Sequence, residues 1–330
     1  MATALITGIA GQDGSYLAEL LLSKGYRVIG TVRDPNTAGC DRLRDISKSI
    51  EIVEANLLEQ TVIERILEGH RPLEVYNLAA RASSSQLFED PVLTGEVNAL
   101  AVARLLEAIR KVDPSIRFCQ ASSSEMFGNA SESPQSEKTQ FYPRNPYGVS
   151  KLYGHWFSVN YRESHKMFAC SSILFNHESP RRGTHFVTRK ITRSVAKIKL
   201  GLQRNLHLGD LEARRDWGYA ADYVYAMWLM LQQAVADDYV LSTGETHSVR
   251  QFCQLAFGHV GLNYEDHVLR DDNSWRPSEA AQLVGDPSKA ERLLGWRRSV
   301  SFTDLVCMMV DADMKACLEG ARSAGSNPIV

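Results

Sequence analysis

The chain has 330 residues, 44% of them apolar, and 37 Lys and Arg against 39 Asp and Glu, for a formal net charge of -2. That length and apolar share suffice for a large core and one large or two modest domains. The near-neutral balance excludes a sequence-independent nucleic-acid binder, and no run approaches the ~18 uninterrupted apolar residues of a membrane span.

Taken in chain order, a first strand is predicted over TALITG (3–8), followed by the run TGIAGQDGSYLAELL. Gly8, Gly11 and Gly14 stand between that strand and a helix whose Tyr16, Leu17, Leu20 and Leu21 share a face and which Gly25 stops. Further strands are predicted over RVIGTV (27–32), IEIVEA (50–55), EVYNLAA (74–80), IRFCQASS (116–123) and ACSSILF (169–175). One long amphipathic helix, PVLTGEVNALAVARLLEAIRKV, starts at a proline, and a second helical run contains NPYGVSKLYGHW. The alternation predicts an α/β fold: a doubly wound, Rossmann-type parallel sheet with its ligand crevice at the carboxyl ends of the strands. Past residue 175 the pattern loosens into a Pro/Arg/Gly-rich loop, a basic helix (FVTRKITRSVAKIKLG), short strands in NLHLG and DYVLSTG, and three late helical stretches. We expect residues 1–175 to form the cofactor domain, with elements around 214–243 returning to it. Residues 176–213 and 244–322 then form a smaller, mostly helical substrate domain, and 323–330 a tail.

Three spaced glycines at a strand-to-helix turn allow the backbone to approach a pyrophosphate, which the helix N-terminus attracts. The run Gly8 to Gly14, with Gln12 and Asp13 inside it, therefore predicts a dinucleotide site. The end of the second strand selects the cofactor. Arginine there favours the 2′-phosphate of NADP and an acid favours the 2′-hydroxyl of NAD; Arg33 is followed by Asp34, so NADP is expected and NAD stays open.

Tyr147 and Lys151, at i and i+4, share a helix face. An ammonium beside a phenol lowers the phenol's pKa, so Tyr147 is the expected base for a sugar hydroxyl as hydride leaves the same carbon. Ser123 would hold that hydroxyl, while Ser122 and Ser124 serve backbone groups. Glu125 stands two residues beyond Ser123, on the same side of an extended chain. A hydride-transfer site alone needs no such acid. The six cysteines form no Cys-x-x-Cys pair, so reduced thiols, no metal site and a cytoplasmic setting are expected. The N-terminus enters a strand directly, with no signal segment expected.

The runs TGIAGQDGSYLAELL, YNLAA, QASSSEMFG, PYGVSKLY, ILFNHESPRRGTHFVTRKIT, RDW and RPSEAAQLVGDPSKAERLLGW together resemble the GDP-mannose 4,6-dehydratase family of extended short-chain dehydrogenase/reductases. The resemblance runs from the first strand to about residue 315. It implies a lyase acting on GDP-mannose or a close GDP-sugar: oxidation at C4, loss of water across C5 and C6, and return of hydride to C6. Ser123 then stands for the family's threonine, Glu125 for its acid/base, Tyr147 for its base and Lys151 for its lysine. The same resemblance puts Asn56, Leu57, Leu78, Ala79, Ala80, His177 and Arg182 beside the cofactor, and Ser84, Asn176, Val187, Lys190, Arg215, Arg276 and Glu279 around the GDP-sugar. It also implies a homodimer or homotetramer, with Pro35 to Cys40 reaching a neighbour as one reading. The chain departs from the family at Asp34, usually arginine, at Asn56, usually aspartate, and in the loop Arg81 to Ser85. The alternatives are a reductase or epimerase of a GDP-linked deoxy sugar, which needs no Glu125, and a non-catalytic cofactor-binding module, which needs no Ser/Tyr/Lys set.

Overall fold

Apolar side chains alternate along the early strands, and the alternation sorts them into two cores. Leu5, Ile29, Val75 and Phe118 belong to one, and their neighbours Ala4, Ile6, Val28, Tyr76 and Cys119 to the other. The computed structural model describes residues 1–34, 40–82, 90–271 and 283–323. The strands β1 (Thr3–Thr7), β2 (Arg27–Val32), β3 (Ile50–Glu54), β4 (Glu74–Asn77), β5 (Arg117–Ala121) and β6 (Ala169–Leu174) each lie within the run that predicts them. After them come β7 (Asn176–Glu178), β8 (Leu206–Leu208), β9 (Arg214–Arg215), β10 (Trp217–Tyr219), β11 (Tyr239–Leu241), β12 (His247–Ser248) and β13 (Val268–Arg270). The helices are α1 (Gln12–Ser23), α2 (Gln60–His70), α3 (Pro91–Gly95), α4 (Ala101–Val112), α5 (Pro146–His165), α6 (Val187–Lys199), α7 (Ala220–Leu231), α8 (Val249–His259), α9 (Ser288–Leu294) and α10 (Phe302–Ser323).

Seven strands form one parallel sheet in the order β11-β6-β5-β4-β1-β2-β3. The order reverses between β1 and β4, which opens a crevice at their carboxyl ends. Leu17 and Leu21 of α1 and Met227 and Met230 of α7 cover one face of the sheet. Ile63 and Leu67 of α2 with Leu105, Leu106 and Ile109 of α4 cover the other. The long proline-started helix is not continuous. A π-turn, Glu96–Leu100, separates α3 from α4. Within it Asn98 grips the backbone of Arg81 from both sides, accepting its N–H at 2.8 Å and donating to its carbonyl at 3.0 Å.

Beyond β6 the short strands pair two by two, β10 with β7, β12 with β9 and β13 with β8. They frame a third core in which Trp217 stacks on Phe302, with Ile191, Val195, Phe252, Leu305 and Met309 around them. A buried ion pair staples this lobe. Arg189 of α6 donates from Nε and Nη2 to Asp313 of α10 at 2.8 and 2.7 Å, and Thr192 donates to the same carboxylate at 2.7 Å. Among the described residues no helix is long and apolar enough to cross a membrane, and no group of side chains is arranged to hold a metal ion. All six cysteines are free thiols.

Candidate active site

The crevice between the sheet and the second lobe is a cavity of about 430 Å³. At its floor the turn after β1 is shaped by two glycines. Gly8 has φ +68°, and a Cβ there would lie 2.8 Å from Ala79 Cα; a Cβ on Gly14 would lie 2.6 Å from the Gly8 carbonyl oxygen. Gly11, at the N-cap of α1, has no side chain, so no side chain caps that helix. Its first N–H groups and partial positive charge remain available to an anion, and this is the feature that fits a dinucleotide's phosphates.

Asp13, in the first turn of α1, would oppose such an anion, and His177 offsets it. His177 Nε2 lies 2.8 Å from Asp13 Oδ2 and Nδ1 lies 2.7 Å from the Phe175 carbonyl, so both ring nitrogens face acceptors and both carry protons. Burial pushes Asp13 upward, but the His177 charge and hydrogen bonds from His177 and Gln12 overcome it and hold the carboxyl at about 2. Burial presses His177 downward, and Asp13's charge and hydrogen bond outweigh it, raising the imidazole. Gln12 ties the same turn to the chain after β6, donating to the His177 carbonyl at 3.1 Å and accepting from Ser179 at 2.8 Å.

Beneath the floor runs a line of buried side-chain hydrogen bonds across three strands. Thr7 Oγ1 donates to Asn77 at 2.6 Å, Asn77 Nδ2 to Gln120 at 2.7 Å, and Gln120 Nε2 to the Ala121 carbonyl at 3.0 Å. Lys151 Nζ donates to that same carbonyl at 2.7 Å.

Ser123, Glu125, Tyr147 and Lys151 all line the cavity. Glu125 does not get there along an extended chain. Ser123 is extended, but Ser124–Met126 then form a 3-10 turn, because the Ser123 hydroxyl accepts the Glu125 N–H at 3.2 Å. The turn brings serine and acid to one cavity where strand alternation was expected to do so. Ser122 pairs with the Ser171 hydroxyl at 2.7 Å, and is thus bonded to a side chain where a backbone partner was expected.

The expected lowering of Tyr147 is not found. Burial pushes its phenol up to about 12, with the Ser123 hydroxyl pulling the other way. The physical reason is placement: Lys151 bonds the Ala121 carbonyl and its Nζ lies 5.6 Å from the Tyr147 ring centroid. Burial also lowers Lys151 to about 8.

The other expected residues divide by position. Of the residues expected beside the cofactor, Asp13, Leu78, Ala80, His177 and Arg182 line the cavity, and of those expected around the GDP-sugar, Asn176, Val187, Lys190 and Arg215 do. Gly8, Gly11, Gln12, Gly14 and Ala79 build the turn beneath it. Arg33 and Asp34 are exposed at the end of β2. Asn56 turns to a local task, accepting the Leu58 N–H at 3.2 Å and donating to Glu59 at 2.9 Å, with Leu57 half-buried beside it. Ser84, Arg276 and Glu279, and Pro35 to Gly39 ahead of Cys40, lie outside the described residues. Lys190 is held by the His207 carbonyl at 2.6 Å, and Arg182 stacks on Phe186 at 3.6 Å with buried Glu178 beside it.

Sequence reasoning missed three residues. Glu178 accepts from Thr188 at 2.5 Å and pairs with Arg182 at 3.1 Å. Asp216, raised to about 6 by burial, accepts from Thr243 and Gly244 and from Gly285. Asn145 donates to Glu125 at 2.8 Å. Only Asn145 left a signal, since asparagine before a proline marks a helix start.

The family model for GDP-mannose 4,6 dehydratase matches residues 5–309. The chain belongs to the GDP-mannose 4,6-dehydratase family. GDP-mannose 4,6 dehydratase 1 of Arabidopsis thaliana is 50% identical over 324 residues, spanning 94% of this chain and 90% of that protein. GDP-mannose 4,6 dehydratase of Homo sapiens is 45% identical over 339 residues, spanning 94% and 91%. Among solved structures, UDP-glucose 4-epimerase of Thermus thermophilus in complex with NAD superposes with a TM-score of 0.82 at 28% identity, covering 95% of this chain and 99% of that one. Family membership therefore meets a cavity in which Ser123, Glu125, Tyr147 and Lys151 stand together.

Proposed function

We propose that this chain is a hydro-lyase converting GDP-mannose to GDP-4-keto-6-deoxy-mannose. The observation that carries the reading is Glu125 on the wall that also holds Ser123, Tyr147 and Lys151. The uncapped start of α1, the glycine turn, Leu78, Ala79, Ala80, His177 and Arg182 hold the cofactor in this reading, with 1–175 and 214–243 as its domain. NADP is our choice, on Arg33 at the end of β2. Asn176, Val187, Lys190 and Arg215, from 176–213 and the return after it, take the GDP-sugar together with Ser84, Arg276 and Glu279.

When bound, the nicotinamide supplies a hydride acceptor for C4 and a donor for C6, with no net redox change. Ser123 holds the C4 oxygen and Tyr147 takes its proton, supported by Lys151. The resulting ketone acidifies the C5 proton. Glu125 removes that proton and delivers a proton to the C6 hydroxyl, which leaves as water; a proton returns to C5 as C6 is reduced. A reductase or epimerase would leave Glu125 idle.

The protein is proposed to work as a homodimer or homotetramer in the cytoplasm. Val149 and Trp156 of α5, 55% and 54% exposed, offer an apolar face to a second copy.

The decisive experiment supplies purified protein and NADP with GDP-mannose and no reductant. Formation of a 4-keto-6-deoxy sugar with no net NADPH is expected. NADPH consumption on a preformed 4-keto sugar, with none made from GDP-mannose, would hand the chain to the reductases. Mass spectrometry of the cofactor released on denaturation separates NADP from NAD.

A further inference from the structure

Glu125 is held by the start of α5, the helix that carries Tyr147 and Lys151. Asn145, the residue before that helix, uses both arms of its amide. Its Oδ1 accepts the Gly148 N–H at 2.7 Å and caps the helix, while its Nδ2 donates to Glu125 Oε2 at 2.8 Å. The cap fixes which way round the amide sits, because a backbone N–H can bond only the oxygen. The nitrogen must then face Glu125, so an N–H meets the carboxylate as a donor. The backbones fit as closely. A Cβ on Gly148 would lie 2.5 Å from the Glu125 carbonyl oxygen, so a glycine is what lets the Glu125 turn seat on the helix. Among the described residues no group donates to Glu125 Oε1.

We infer that Asn145 is a positioning residue for the elimination step. It ties Glu125 to the helix of Tyr147, occupies one carboxylate oxygen and leaves the other for the sugar. Oxidation at C4 draws on Ser123, Tyr147 and Lys151 and does not depend on Asn145. This inference rests on the dehydratase reading. The charged and titratable groups that line the cavity with Glu125 are Tyr147 and Lys151 of α5, Arg144 before it, and Asp13, His177, Glu178, Arg182, His185, Lys190, Asp210 and Arg215 from other elements.

Two variants keep the helix cap and remove the donor. Serine caps a helix as well as asparagine does, so Asn145→Ser leaves the melting temperature unchanged. Misplacing the carboxylate lowers kcat by about 10²-fold while KM for GDP-mannose stays the same. Reduced nicotinamide, read by its absorbance during turnover, builds up above the wild-type level because C4 is oxidised and elimination lags. Asn145→Asp keeps the reach and sets a second carboxylate against Glu125. Its kcat falls at neutral pH and recovers as pH is lowered, when the introduced carboxyl is protonated and donates again. Wild-type kcat in Asn145→Ser overturns the inference. So does a loss that comes with a lowered melting temperature and no reduced nicotinamide, which makes Asn145 a helix cap alone. The wild type run alongside separates the two readings. If it makes no keto sugar, the dehydratase reading falls and the role of Asn145 with it. If it does and Asn145→Ser matches it, only the role of Asn145 falls.

Discussion

The two walls of the crevice are built in opposite ways. The sheet wall consists of strand ends and helix starts in regular register, with its side chains set by a parallel sheet whose core is apolar on both faces. The lobe wall consists of strands of two or three residues over an apolar core, with buried ion pairs as further ties: Arg189–Asp313 between α6 and α10, and Glu178–Arg182 at the end of β7. The first holds the groups proposed for the chemistry and the second those proposed for the nucleotide. Reactive side chains thus ride on elements that backbone hydrogen bonds stabilise throughout, while the recognition surface depends on a few buried polar pairs, one spanning four residues and the other 124.

The largest expected effects test the sheet wall. Tyr147→Phe and Glu125→Gln should each lower kcat by about 10²–10⁴-fold with little change in melting temperature. They should fail at different steps. Glu125→Gln still reduces the bound nicotinamide on mixing with GDP-mannose, and Tyr147→Phe does not. Identical stopped-flow traces from the two would break the assignment of separate steps.

Next is the lobe wall. Asp313 is 2% exposed, so Asp313→Ala leaves Arg189 buried without its partner and should cost about 3–5 kcal/mol of stability in urea unfolding. A cost below about 1 kcal/mol would mean that apolar packing, not the ion pair, holds the lobe. The smallest effect returns to the sheet wall. Burial sets Lys151 at about 8. In the proposed reaction its ammonium, 5.6 Å from the Tyr147 ring centroid, acts only on the negative charge that grows on Tyr147 as the proton moves, and it is lost as pH rises, so kcat/KM should fall on the alkaline side through about pH 8. In Lys151→Arg the charge persists, and the surviving activity should show no such limb near that pH. A wild-type profile flat through that range would remove Lys151 from the proton step.

Legibility follows the same division. Six strands of the sheet announced themselves through apolar runs of four to six residues, and the glycine turn through its spacing, because these features are local. Tyr147 and Lys151 were readable because one helical turn separates them. The strands β7, β9, β10, β12 and β13 were not, since two or three residues carry no periodicity and their pairing partners lie far off in the chain. The π-turn at Glu96–Leu100 was hidden inside a pattern that suits a straight helix. Spacing found Glu125 as an acid near Ser123, but the 3-10 turn that aims it depends on one hydroxyl. Its bond to Asn145 spans 20 residues. The expectation for Tyr147 failed because adjacency on a helix did not disclose that Lys151 would bond the Ala121 carbonyl.

The line of hydrogen bonds from Thr7 through Asn77 and Gln120 to the Ala121 carbonyl has one direction. Each member donates onward to the next, so neither amide can turn round without setting like against like at both its ends. Its links join residues 70 and 43 positions apart, so no single local change of sequence can reverse it. The three positions therefore work as one unit: an exchange at any of them that removes its donor or acceptor leaves a buried amide of the line without a partner.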